Sequence, residues 1–253
     1  MSSAMTVLGP LPAEELGTTI THEHLLIDFR CRFTGSPASD DIGPHLDPRD
    51  RWRLVQEPAA YEANLLRNDV GSAIEEVAAY LRAGGRTIVD ATTEGLSPDT
   101  AGLVQVSEAT GANIIASTGI YAHVSHASWV HEATVETLAR FTLDAITTPD
   151  QAGVQCGFIG EIGVDGPTDC EMDVVKAAAI AQRETGVPVS IHLLSGALPD
   201  KRADALAVVE TFVAAGGNPH RLIACHQDGS GDDPEYQEQL LRQGITLEYD
   251  TFG

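Results

Sequence analysis

Apolar positions along this chain fall into two alternating modes: short, nearly continuous Val/Ile runs, and longer stretches with a helical period. Residues 18–28 (TTITHEHLLID) alternate and then turn polar, which predicts a strand. Residues 70–82 place Val70, Ile74, Val77, Ala78 and Leu81 on one face, so a helix is expected there, ended by Gly84 and Gly85. From residue 86 the two modes repeat. Strands are predicted at 86–93, 112–121, 156–163, 187–194, 221–227 and 245–253, with helices at 131–146, 170–186, 202–217 and 233–244 between them. One more helix follows the strand at 86–93, with Ser97 as its cap and Pro98 in its first turn. Residues 30–64 are irregular and rich in Asp, Pro and Arg. A connection that long is expected to pack over a site or to carry short helices.

Nearly continuous apolar strands alternating with amphipathic helices predict a parallel sheet covered on its outer face. Seven strands are counted, centred on His22/His24, Val89, Ile115, Ile159, Ile191, Ile223 and Leu247. A closed (β/α)8 barrel needs eight. The expected fold is therefore α/β, a TIM-type barrel whose chain stops before strand eight. On that reading residues 1–253 are a single barrel domain, incomplete at the C-terminus, and the chain is a fragment. An unpaired parallel edge would otherwise expose a row of backbone donors and acceptors. A doubly wound open sheet is the alternative, but no Gly-rich phosphate fingerprint follows the first strand.

Composition narrows the partners. The 43% hydrophobic content is ample for a core, while 15 Lys+Arg against 37 Asp+Glu give a formal charge of −22. So acidic a surface repels phosphate backbones and anionic leaflets, which argues against nucleic-acid or membrane partners. The charge itself reads as a solubility feature. Cys31, Cys156, Cys170 and Cys225 show no C-x-x-C spacing and suit reduced thiols, not a disulfide framework or a thiolate metal site. The N-terminus lacks the basic and apolar regions of a signal peptide, so a cytoplasmic location is the expectation.

Candidate chemistry sits where apolar runs end. His22 and His24 form H-x-H on the first strand, and period-two alternation puts both rings on one face with Glu23 opposite. Alone, such a pair is as readily a surface or core feature as a metal site. His192 and His226, however, end the fifth and sixth predicted strands, and barrel geometry brings all those ends to one rim. Glu161, between glycines at the end of the fourth strand, could bridge two divalent ions through its two oxygens. A solvent-facing strand-end carboxylate is its plainer reading. His123, His126 and His131 have a spacing that fits no ligand set and read as a solvated loop, with substrate contact as the alternative. The stretch 229–234 (GSGDDP) lacks the Lys-Ser/Thr of a P-loop, and helix capping by Asp232 or Asp233 explains it.

GTTITHEHL, GEIG, VPVSIHL, CHQD and LEYDTFG, in this order, resemble the phosphotriesterase family of the amidohydrolase superfamily, from about residue 6 to the end. The likeness is to the phosphotriesterase-related proteins, with glutamate at the bridging position instead of a carbamylated lysine. It implies a binuclear metal-dependent hydrolase using a metal-activated hydroxide on a small carboxylic ester, lactone or amide. A phosphotriester hydrolase and a non-catalytic metal- or ligand-binding relative are the alternatives. By the same likeness His22 and His24 match ligands of the more buried ion, Glu161 the bridge, and His192 and His226 the second ion. Two divalent ions are implied: Zn2+ suits imidazole plus carboxylate, and Mn2+, Co2+ or Fe2+ use the same donors. Tyr121 matches an aromatic residue of the pocket, which in lactonase relatives supports the substrate oxygen; rim packing is its alternative. A homodimer is also implied. The family's remaining ligand, an aspartate ending strand eight, has no match: Asp228, Asp232, Asp233 and Asp250 stand elsewhere. Were these residues the whole polypeptide, activity would be weak or absent.

Overall fold

The computed structural model describes residues 2–35, 49, 51–193 and 202–250. Strands β1 (Ser3–Thr6) and β2 (Gly9–Pro12) form an antiparallel hairpin. Next come β3 (Thr19–Glu23), β4 (Ile27–Asp28), α1 (Arg51–Gln56) and β5 (Leu66–Arg67). Helices and strands then alternate: α2 (Val70–Arg82), β6 (Thr87–Asp90), α3 (Thr100–Thr110), β7 (Asn113–Thr118), α4 (Ser128–Glu132), α5 (Val135–Thr147), β8 (Phe158–Val164), α6 (Asp169–Thr185), β9 (Val189–Leu193), α7 (Arg202–Ala214), β10 (Leu222–Ala224), α8 (Pro234–Arg242) and β11 (Thr246–Leu247).

Seven strands pair in parallel in the order β11-β10-β9-β8-β7-β6-β3 and curl into an incomplete TIM-type barrel. Side chains span the gap between its outermost strands, Thr21 of β3 donating a hydrogen bond to Glu248 just past β11. Alternation along each strand divides the core. Ile88 and Ile114 pack outward with Val77, Leu103 and Val106, whereas Val89, Ile115 and Phe158 point inward onto Ala4 and Leu16. A larger cluster joins Ile159, Ile191, Val175, Val208 and Phe212 beneath α5, α6 and α7. Each such side chain stabilises the fold by about 1.5–3 kcal/mol on burial. The hairpin lies under the inward layer, leaving the C-terminal strand ends as the open mouth. Among the described residues no helix is long and apolar enough to cross a membrane.

Helix ends follow local chemistry. In α6 Thr168 and Glu171 make a reciprocal capping box, and Gly186 closes the helix at φ +72°. Three predicted boundaries move for similar reasons. Asp99, not Ser97, caps α3 by accepting from Gly102 N–H; Ser97 lies at φ +57°, and the residue before a proline is disfavoured in the helical region. The helix predicted at 131–146 is two, α4 and α5, because Thr134 caps a new start. The strand predicted at 18–28 ends at Glu23, where carboxylates take the ladder's donors: His24 N–H donates to Glu23 Oε1 (2.9 Å) and Leu25 N–H to Asp90 Oδ2 (2.8 Å). β4 then pairs antiparallel with β5. The final strand is short, Thr246–Leu247. Residues 251–253 and residue 194 of the predicted strands, with 36–48 and 50 of the irregular segment, lie outside the described residues.

Candidate active site at the barrel mouth

Glu161 sits on β8 behind Gly160, whose φ is +121° and whose backbone passes close to β9. A Cβ at residue 160 would lie 2.3 Å from Ser190 Oγ and 2.5 Å from its carbonyl oxygen. Only glycine suits that combination of φ and crowding. The register of β8 shifts between Ile159 and Ile162, and that of β3 between Ile20 and Glu23. Such irregularities re-aim side chains, and both flank the ligands predicted from sequence.

The carboxylate of Glu161 is 2% exposed and faces four imidazoles. Oε1 lies 3.3 Å from His24 Nε2. Oε2 lies 2.9 Å from His192 Nδ1, 3.4 Å from His226 Nε2 and 3.5 Å from His22 Nε2. His192 Nδ1 and His226 Nε2 approach to 2.8 Å. All five residues predicted from sequence therefore converge. One ion bonded at about 2.0–2.2 Å to each ligand leaves donor atoms roughly 3–3.5 Å apart, as these are. The donor set, imidazole plus a buried carboxylate, fits a pair of divalent ions.

Carboxylates stand behind the rings. Asp250 Oδ1 lies 2.8 Å from His226 Nδ1, and its Oδ2 lies 3.3 Å from His22 Nδ1. Glu248 Oε2 is also 3.3 Å from His22 Nδ1. These are the nitrogens opposite those facing Glu161, so Asp250 and Glu248 orient the rings of His22 and His226. His24 Nδ1 is backed by Thr92 Oγ1 at 3.0 Å. His226 occupies a left-handed conformation, φ +60°, with its N–H donating to Asp250 Oδ2 (3.4 Å). A non-glycine residue there is strained, a cost met at functional sites.

The electrostatics follow. Burial opposes charge on His226, but Asp250 and Glu161 outweigh it and push the imidazole up to about 9. His22 is raised too, burial being overcome by Asp250 first and then by Cys225, Glu161 and Glu248. For Glu161 burial is outweighed by the four imidazoles, which hold it well below the ordinary carboxylate range. Asp250 is lowered likewise, His22 and His226 overcoming burial. Without cations, protons on His22 and His226 balance the buried acids; divalent ions would replace them.

A cleft of about 410 Å3 opens above these groups, lined also by Phe29, Asn64, Leu65, Arg67 and Tyr121. Of the irregular segment, Asn64 lines the cleft and Arg32 reaches Tyr121 at its wall. Tyr121 is buried, its ring 5.5 Å from that of His192. Its hydroxyl accepts from Arg32 Nη2 at 3.0 Å, while Arg32 also pairs with Asp165. Burial, then the charge of Glu161, raise the phenol's pKa, so it stays protonated. Sequence reading missed Arg32, Asp165 and Glu248 and set Asp250 aside. Glu248 and Asp250 were findable, since E-x-D in the strand predicted at 245–253 has the same period-two spacing as H-x-H; Arg32 sits where no period exists. All four cysteines are free, and burial raises the Cys225 thiol beside His22.

Comparison with known proteins agrees. The N-acetyltaurine hydrolase of Danio rerio is 38% identical over 98% of this chain and 71% of its own length. A resiniferatoxin-binding protein from Rhodobacter sphaeroides has a crystal structure that superposes with a TM-score of 0.91, at 31% identity, over 99% of this chain and 70% of that one. The Listeria monocytogenes lactonase Lmo2620 shares the fold, with a TM-score of 0.74 at 21% identity over 97% and 71% of the two chains. The sequence profile of the phosphotriesterase family matches residues 2–253, and this chain belongs to that family.

Proposed function

We propose that this hydrolase is a binuclear metal enzyme that cleaves a small N-acyl amide bearing an anionic tail, of the N-acetyltaurine kind. The observation that carries the reading is the convergence of His22, His24, His192 and His226 on the single buried carboxylate of Glu161. Two divalent ions held there, of which Zn2+ suits the donors best, would supply Lewis acidity toward the substrate carbonyl and a water acidified toward neutrality.

The remaining work belongs to the chain. Glu161, His22, His24, His192 and His226 would hold the ions, with His24 beside one oxygen of Glu161 and His22, His192 and His226 beside the other. Asp250 and Glu248 fix the ring orientations. Tyr121, protonated and steadied by Arg32, donates a hydrogen bond to the substrate oxygen at the cleft wall. Arg67, which lines the cleft from β5, gives the anionic tail a guanidinium partner. Amide substrates are favoured over lactones by the 38% identity to an N-acetyltaurine hydrolase.

The test is acetate release from N-acetyltaurine and N-acetyl amino acids, set beside acid release from a lactone panel and alcohol release from a phosphotriester, each with and without chelator. Amide cleavage lost on chelation and restored by Zn2+ is expected. Turnover confined to lactones or the phosphotriester would discard the amide assignment, and chelator-resistant turnover would discard the metal.

A further inference from the structure

Away from the mouth, the connection after β7 gathers His123, His126 and His131. Their ring centres form a nearly equilateral triangle, 5.4 Å, 5.0 Å and 5.5 Å on its sides. One ring nitrogen from each lies within 4.8 Å of the others. Three imidazoles bound to one ion at about 2.0–2.1 Å put their ring centres roughly 5 Å apart. The triangle has that size.

Neighbouring groups hold the rings in place. His126 Nε2 lies 2.8 Å from the Tyr121 carbonyl oxygen. A carbonyl only accepts, so Nε2 carries the proton and Nδ1 keeps its lone pair. That is the arrangement in which metal-bound histidines are found, one nitrogen oriented by a carbonyl and the other free to ligate. The neighbour of Nδ1 is the Cys170 thiol at 3.4 Å, a weak donor that a cation readily displaces. The backbone of His123 is tied by its N–H to Glu171 Oε1 at 3.1 Å, the carboxylate that also completes the α6 capping box. His131 is carried on α4. His123 and His131 are exposed and His126 half-buried, so an ion would reach the cluster from solvent and keep a water in its fourth position.

We infer that His123, His126 and His131 form a separate transition-metal site, for an ion of the Zn2+, Ni2+ or Cu2+ kind that imidazole favours. Bound there, the ion would fasten the connection to the Tyr121 carbonyl and so brace the wall of the catalytic cleft.

Calorimetric titration of the metal-free chain with Zn2+ tests this against His123→Ala/His131→Ala, both changes being on exposed side chains. The double variant should bind one equivalent fewer than wild type, whatever number the barrel mouth takes. His131→Ala alone should weaken that one class of site by about tenfold or more, having lost one of three ligands. Hydrogen exchange over residues 123–131 should slow on adding Zn2+ to wild type and not to the double variant, with circular dichroism confirming that both fold. Equal stoichiometry and equal affinity in the two proteins would overturn the inference.

Discussion

Two groups of histidines in this molecule make an instructive pair. At the mouth, four imidazoles arrive from three places in the chain, the end of β3, β9 and the turn after β10, and converge on one buried carboxylate. On the rim, three arrive from nine consecutive residues of a single connection and enclose no acid. The mouth carries fixed negative charge in Glu161, Glu248 and Asp250, which a pair of dications neutralises; the rim offers neutral donors only. The mouth should therefore hold its ions tightly and the rim exchange its ion readily. Imidazole is common to both, so the contrast lies in the carboxylates, Glu161 among the rings and Asp250 and Glu248 behind them.

Removing the bridge should have the largest effect. Glu161→Gln leaves one neutral amide facing four imidazoles and is expected to lower kcat/KM by about 10^3-fold or more, with loss of the tight metal class and retention of the weak one. Steady-state kinetics alongside metal analysis reads both. Loss of the weak class as well would erase the distinction between the two regions.

Next comes the orienting acid. Asp250→Asn keeps the shape of the site but removes the charge behind His22 and His226, and should cost about 10–100-fold in metal affinity at the mouth. A competing chelator measures it, and an unchanged affinity would return Asp250 to the status of a bystander. Gly160→Ala attacks the same site without touching a ligand. Its Cβ meets Ser190, in a left-handed conformation unfavourable to alanine, and a loss of about 2–4 kcal/mol is expected in denaturant unfolding. A neutral result would mean that β8 can shift and that the carboxylate is not rigidly presented.

The smallest effect is on pH. In the metal-free chain His226 is raised from its ordinary 6.5 to about 9. Its contribution to stability is complete below about pH 6.5 and is lost as pH rises through about 9. Asp250, held below its ordinary value, contributes in the opposite sense, its share lost as pH falls toward the folded pKa. Unfolding midpoints of chelated protein should thus fall between pH 6.5 and 9.5, while the metal-loaded protein should not follow that curve. A flat profile for the chelated form would break the pairing assigned to His226.

Much of this was legible in the sequence because barrel strands are apolar on both faces and helices on one. Seven strands and their order follow from that pattern, and His22, His24, Glu161, His192 and His226 stand where the apolar runs stop. What escaped has local causes. The strand at 18–28 breaks because the side chains of Glu23 and Asp90 capture backbone donors, which no periodicity registers. The break before α5 depends on Thr134 capping in competition with helix continuation. In sequence the rim cluster reads as a solvated loop because its spacing, two and then four intervening residues, fits no ligand set. Its geometry comes instead from a 3-10 turn at His123–Ser125 followed by α4. Arg32 reaches Tyr121 from an aperiodic segment, through contacts that only the folded chain reveals.

Manganese supplies the most direct test of the bridge. With His123→Ala/His131→Ala removing the rim site, the chain loaded with two equivalents of Mn2+ should give the electron paramagnetic resonance spectrum of an exchange-coupled pair. Adding Glu161→Gln should abolish that coupling. Isolated, uncoupled Mn2+ signals from the fully loaded protein with Glu161 intact would contradict a carboxylate shared between two ions.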